Sequence, residues 1–257
     1  EDVPAVPQAS AVMPSRTPFQ PLPATAAAYT PTPLPPAPTP PHNPTAALPP
    51  SPTTPPRTTL LFSGVIVPAR CVQAAVDERD DADYIYDNVR DVIQSADLAV
   101  GTLNATLSDY PPRTGCVFTY VLVGAARNAD ALQRAGFDVM SVATNHIKNC
   151  GIGDCGDRAF FDTLDNLRRV GILPVGAGDN LAEGMQPVVV MLNGIRFGIV
   201  SLGMVEPLAF ATDATPGIAE LTEANLRAAI AAARRVADVV IAMPHWGPED
   251  TPNPNSY

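Results

Sequence analysis

Residues 138–155 read DVMSVATNHIKNCGIGDC. Asp138 to Ala143 has the apolar, β-branched character of a strand and runs directly into a polar turn carrying Thr144, Asn145 and His146. In open α/β sheets such turns hold the chemistry, because side chains leaving the carboxyl ends of neighbouring strands converge in one crevice. His146 is one of three histidines in the chain. Another, His245, follows a second apolar run in VVIAMPHWGPED, residues 239–250. Two imidazoles at two strand ends predict one shared site.

Working outward, Ala125 to Ala135 reads as a helix stopped by Gly136, where a left-handed residue is easily accommodated. Asp157 to Val170 is a second helix, with Phe160, Phe161, Leu164 and Leu167 on its apolar side and Gly171 closing it. A short strand, Ile172 to Val175, follows. Upstream, Thr59 to Val67 (TLLFSGVIV) is a continuous apolar run of the kind found in central parallel strands, ended by Pro68. Asp83 to Ala96 places Ile85, Val89, Val92 and Ile93 on one helical face, and the strand Asp97 to Leu103 comes next. Downstream, Pro187 to Leu192 and Ile195 to Leu202 flank Asn193-Gly194, a strong hairpin signal because both central residues must take positive φ. The last helix starts at the N-cap Thr222, with Leu221 and Leu226 as a hydrophobic staple, and the last strand is Asp238 to Met243. Strands alternating with helices predict an α/β fold, a mostly parallel sheet flanked by helices with one added antiparallel hairpin.

Of the 30 prolines in 257 residues, 19 precede Arg57. Residues 1–56 are low-complexity Pro, Thr, Ala and Ser, too poor in large apolar side chains to offset their ordering entropy, so a disordered Pro/Thr-rich stalk or linker is expected there. His42 within it is then a solvated side chain, and residues 57–257 form the folded domain. The formal net charge of -10 argues against a nucleic-acid backbone as partner. No apolar run reaches the length of a membrane span. The chain begins at Glu1, consistent with processing or fragmentation, and it stops at Tyr257 just after a strand-end loop, which predicts a C-terminally incomplete domain.

Cys71, Cys116, Cys150 and Cys155 all lie in the folded part. An even count beside an extracellular-looking stalk predicts disulfides, most simply Cys150 with Cys155 and Cys71 with Cys116, in a protein secreted or held at the cell envelope. A small zinc site from His146, Cys150 and Cys155 is the competing reading.

Three segments in order, LQRAGFDVMSVATNHIKNCG, GILPVGAGDNLAEGMQPVVVMLNGIRFGIVSLG and PHWGPED, give the region from Thr59 to Tyr257 a specific resemblance. It resembles the CapA family of poly-gamma-glutamate capsule synthesis proteins, within the calcineurin-like metallophosphoesterase superfamily. The resemblance implies work on capsule or exopolymer and, in that superfamily, hydrolysis at divalent metals such as Mn, Fe, Zn or Mg. By resemblance Asn145 with His146, and His245 with Trp246 and Glu249, match the family's metal or catalytic positions; by their chemistry His146 is then the candidate general acid or base, Asn145, His245 and Asn104 the candidate metal ligands, and Trp246 and Glu249 the candidate substrate contacts. A structural histidine closing the turn, and a solvated loop face at Glu249 and Asp250, are the alternatives.

The departures from that pattern are specific. Where the family's first strand ends in Gly-Asp, this chain has Gly64-Val65; where Asn-Leu-Glu is expected it has Thr102, Leu103 and Asn104; the Asp after the histidine is Asn149. A two-metal phosphoesterase uses carboxylates to bridge and neutralise its cations. Val65 offers neither charge nor lone pair, so one ion or none is expected. Two functions follow: a metal-dependent hydrolase acting on a phosphoester or polymer, and a catalytically degenerate protein that binds an anionic or peptide polymer at the cell surface.

Overall fold

The computed structural model describes residues 57–150, 155–205 and 207–247. The proline-rich stalk and the loop carrying Glu249 and Asp250 lie outside the described residues. The folded chain starts with strand β1, Leu60–Ile66, and helix α1, Arg70–Arg79. A 3-10 turn at Asp83–Tyr86 leads into the short helix α2, Arg90–Gln94, and strand β2, Leu98–Leu103. Strands β3, Thr106–Leu107, and β4, Val123–Gly124, bracket a loop and are followed by α3, Asn128–Ala135, and β5, Val139–Ser141. Helix α4, Arg158–Arg169, and strand β6, Leu173–Val175, complete the first half. The second half comprises β7, Ala177–Gly178; α5, Leu181–Gly184; β8, Val188–Leu192; β9, Ile195–Gly203; β10, Gly217–Ile218; α6, Glu223–Arg234; and β11, Val239–His245.

Two sheets carry the architecture. The first, ordered β1-β2-β5-β6, is parallel throughout. The second, ordered β11-β9-β8, pairs β11 with β9 in parallel and β9 with β8 through the expected hairpin, with Asn193 at φ 49° and Gly194 at φ 81°. Leu98, Val100, Val139 and Val175 of the first sheet share one buried cluster with Ile199 of the second, packed by Val188, Val190 and Ile241. The outer face of the first sheet is covered by α1, α3 and α4 through Val76, Leu132, Phe160 and Leu164. That of the second is covered by α6 through Ala229 and Ala233. The layers therefore run helix, sheet, sheet, helix. The expected α/β fold is present, with parallel strands flanked by helices and one added hairpin; the strands are divided between two sheets that bury their second faces against each other.

A repeated device sets the strand register. Asp97, Asp138 and Asp238 each stand one residue before a strand, and each carboxylate accepts a backbone N–H from the chain alongside: Thr59 at 2.7 Å, Ala99 at 2.8 Å and Arg196 at 2.9 Å. Each aspartate's own N–H donates back to the carbonyl of that same residue. A one-residue slip would break both bonds and turn every side chain to the wrong face. Arg196 also forks onto Asp238, whose carboxyl is held down at about 2 by those hydrogen bonds.

Two sequence expectations need correction. The apolar run at β1 is an edge strand, with Phe62 and Val65 about half exposed, at 48% and 53%. Apolar continuity reports coverage by the layers above and below, and says nothing about a lateral neighbour. The helix read over 83–96 is a 3-10 turn and the five-residue α2, with Val92 61% exposed. The crossover from β1 to β2 is led by α1, whose buried positions are only Gln73 and Val76, too few to print a helical stripe. The other predicted elements form within a few residues of their expected ends, including Gly136 at φ 106°, Gly171 at φ 87° and Thr222 capping the N–H of Asn225.

Candidate functional site

The two sheets end level with each other. Within their interface Ser141 and Ser201 hydrogen-bond through their hydroxyls at 2.7 Å, and Ser201 also donates to the Met243 carbonyl at 2.9 Å. Two residues on, Gly203 lies so close to the turn after β5 that a Cβ there would meet the Ala143 carbonyl oxygen at 2.4 Å. Only a residue without a side chain permits that approach. In register Gly203 faces His245 across β9 and β11, so the end of β11 is carried to the same rim as the β5 turn.

Within the turn, Thr144 donates its hydroxyl to the Leu103 carbonyl at 2.8 Å, tying β5 to the end of β2. Asn104, the next residue, accepts the His146 backbone N–H at 3.2 Å. The His146 ring is almost wholly buried, and its Nδ1 lies 2.8 Å from Asn149 Oδ1. That same oxygen accepts the Leu122 N–H at 2.7 Å, which fixes it as the carboxamide oxygen. His146 Nδ1 must then carry the proton, leaving Nε2 as the basic nitrogen. His245 Nε2 lies 3.2 Å from Asn145 Oδ1, so the expected convergence of the two histidines on one rim is present.

Burial, and behind it the charge His146 would carry, push the His245 imidazole below its usual 6.5. The unfolded chain therefore binds this proton more readily than the folded one. Stability is full above the unfolded value and falls as pH drops below it, until His245 is also protonated in the folded protein. An NMR titration of the His245 ring is expected to show a midpoint below 6.5. A midpoint above that value would mean the ring is not desolvated as the structure has it.

His146 separates two clefts. One, of about 390 Å³, is bordered by Arg70, Asn104, Phe118, Thr119 and Tyr120. The other, of about 410 Å³, is bordered by Asn145, Lys148, Asn149 and Leu208. No described residue lining either cleft is a carboxylate. Val65 lines neither and stands half exposed on its edge strand, and Trp246 follows β11 with 46% of its surface exposed. Glu249 lies outside the described residues.

Metal fit can be tested on these donors. None of His146, His245, Asn104, Asn145 and Asn149 carries a carboxylate, so none offsets the charge of a divalent cation pair. Among the described residues no group of three or more His, Cys, Asp or Glu side chains is placed to hold a metal ion. The residues described do not fit a two-metal centre. The zinc reading is overturned as well: Cys150 is bonded to Cys155, and Cys71 to Cys116, so no thiolate remains to ligate.

Sequence reasoning names Asn145, His146, His245 and Asn104, and the structure brings these four together. It does not anticipate Asn149 as the group that sets the His146 tautomer, nor Tyr120 and Arg70 in the cleft wall. Those three depend on the loop between β3 and β4, which has no periodicity to read.

The family model "Bacterial capsule synthesis protein PGA_cap" matches residues 59–257. Over 202 residues the chain is 26% identical to "Capsule biosynthesis protein CapA" of Bacillus anthracis, covering 75% of this chain and 47% of that protein. Over 196 residues it is 24% identical to "PGA biosynthesis protein CapA" of Bacillus subtilis (strain 168), covering 76% and 50%. The chain thus spans about half the length of the curated relatives it matches. Among solved structures it is similar to a 5'-nucleotidase precursor from Thermus thermophilus at 15% identity and a TM-score of 0.40, over 74% of this chain and 37% of that one, a likeness too weak to argue from. Because the matched span takes in every described element from β1 to β11, the chain belongs to the bacterial capsule synthesis protein family PGA_cap.

Proposed function

We propose that this chain is a capsule-associated member of its family that holds an anionic or peptide polymer at the cell surface, and that its rim binds without carrying out metal-dependent hydrolysis. One observation carries the reading: the convergent rim is built from two imidazoles and three carboxamides, with uncharged Asn104 and Asn149 bonded to His146 where the family resemblance calls for carboxylates. Asn149 and Asn104 occupy one ring nitrogen and the backbone N–H of His146, so the residue is braced as a wall of the clefts. Two disulfides support an oxidising, extracellular or envelope setting.

The test is metal content of the full-length protein purified without chelator, together with turnover of a generic phosphodiester with manganese added. The expected result is sub-stoichiometric metal and no turnover above background, with His146→Ala indistinguishable from wild type in that assay. Stoichiometric metal and turnover abolished by His245→Ala would establish the hydrolase instead.

A further inference from the structure

Two cations border the clefts beside His146. Lys148 is already committed: it pairs with Asp157 at 2.6 Å, donates to the Pro216 carbonyl at 3.0 Å and lies over the Phe160 ring. Arg70 is not. Among the described residues no carboxylate is within ion-pair reach of it, although the chain carries 26 Asp and Glu against 16 Lys and Arg. Among the described residues its one side-chain hydrogen bond runs from Nη1 to the Thr119 carbonyl at 3.3 Å, and the guanidinium stands 6.0 Å from the centre of the Phe118 ring.

The side chain is held in place by the fold. Arg70 opens α1 at φ 50°, a left-handed conformation unusual for a residue with a side chain. The neighbouring Cys71 is bonded to Cys116, which ties the loop carrying Thr119 and Phe118 back onto the helix. An arginine fixed through one nitrogen, with its other N–H groups left without a protein acceptor among the described residues, presents a planar fork suited to a carboxylate or phosphate. Arg70 lines the cleft of about 390 Å³ together with Asn104 and His146, and none of the described residues lining that cleft is negative. In an acidic protein, a positive and carboxylate-free cleft is the place where an anion meets least repulsion.

We propose that Arg70 is the anchor of an oxyanion subsite in this cleft, taking one carboxylate or phosphate group of a ligand whose remainder lies along the Phe118, Tyr120 and His146 wall. The proposal rests on the binding role of this rim given above.

The full-length protein is titrated by NMR with inorganic phosphate and, separately, with glutarate. Saturable binding of at least one is expected, weakened by added salt. Arg70→Ala is expected to weaken it at least tenfold and Arg70→Lys to retain part of it. Arg158→Ala, whose guanidinium stacks on Tyr110 away from the two clefts, is expected to leave it unchanged. Preference for one probe tells a phosphoryl source from a carboxylate source. Because Arg70→Ala could fold poorly, the wild-type chain is also treated with phenylglyoxal, and the bound anion is expected to protect Arg70 selectively. Failure of both anions to bind, or binding unchanged in Arg70→Ala, or absence of protection would overturn the subsite. Polymer binding that survives Arg70→Ala would overturn the subsite while leaving the holding role intact; an Arg70-dependent anion site in a protein that binds no polymer would do the opposite.

Discussion

A chain carrying Cys71→Ser and Cys116→Ser is expected to lose about 4 kcal/mol of stability, and one carrying Cys150→Ser and Cys155→Ser about 2 kcal/mol. The difference follows from chain entropy in the unfolded state. The first bridge spans 45 residues and the second 5, and closing the longer loop removes more freedom from the denatured ensemble. The native structure points the same way. Around Cys116 itself the segment is fastened to the rest of the fold by Thr119 and Phe118 against Arg70 and by the exposed pair of Arg113 with Asp77; its firmer bonds lie at its ends, at Asp109 and Leu122. Phe118 and Tyr120, 83% and 62% exposed, bury too little surface to hold it. Urea unfolding under oxidising conditions should show both midpoints lowered at constant slope, with the 71–116 pair shifted further. Equal shifts, or the reverse order, would show that loop closure is not what the longer bridge contributes. The variant should also be cleaved more readily between 113 and 120, since the bridge is the covalent tie that backs the weaker contacts of that segment with α1.

The elements legible in the sequence are those whose cause is local. Asn193-Gly194 makes its turn because two adjacent residues accept positive φ, and Thr222 starts α6 because a hydroxyl caps an N–H three residues on. Helix α4 prints its own stripe, with Phe160, Leu164 and Leu167 buried along one face. What escapes notice is set at a distance. The division into two sheets depends on Val100 and Val139 meeting Ile199, which no window of sequence contains. Strands β3 and β4 are two residues each and exist only because they pair with one another across the loop.

The site divides along the same line. Strand-end placement is enough to expect His146 and His245 on one rim, because both follow apolar runs into polar turns. The proton on His146 Nδ1 is a different matter. It is decided by an oxygen of Asn149 that also receives an N–H from Leu122, 27 residues away. Arg70 and Thr119 meet across 49 residues through a loop pinned by a disulfide. The three Asp clasps are visible in the sequence only as single residues before strands, because their partners lie on the chain alongside, 38 to 42 positions off.

Phe160→Ala is expected to destabilise the protein by about 3–5 kcal/mol. The ring is 1% exposed in the cluster beneath the first sheet, so truncation loses its transfer energy and leaves a cavity that a rigid α/β layer closes poorly. Collapse is further opposed on the α4 face by Thr163, which accepts the Leu107 N–H at 2.8 Å, and by Asn166, which donates to the Leu107 carbonyl at 3.0 Å. Those bonds hold helix and strand apart at a fixed distance while the ring is removed from between their neighbours. Phe161→Ala, one position along and only partly buried, should cost clearly less. The site responds too, because Lys148 lies 5.7 Å from the Phe160 ring centre and is held at once by Asp157 and Pro216. Without the ring, Lys148 loses the aromatic face its ammonium stands over, and the turn carrying His146 and Asn149 is expected to loosen at its far end. Urea unfolding measures the first effect. Hydrogen exchange at the His146 and Asn149 amides, which donate to Asn104 Oδ1 and the His146 carbonyl, measures the second and should quicken in Phe160→Ala more than in Phe161→Ala. Equal losses from the two substitutions would mean the ring of Phe160 is not the wedge that supports the turn.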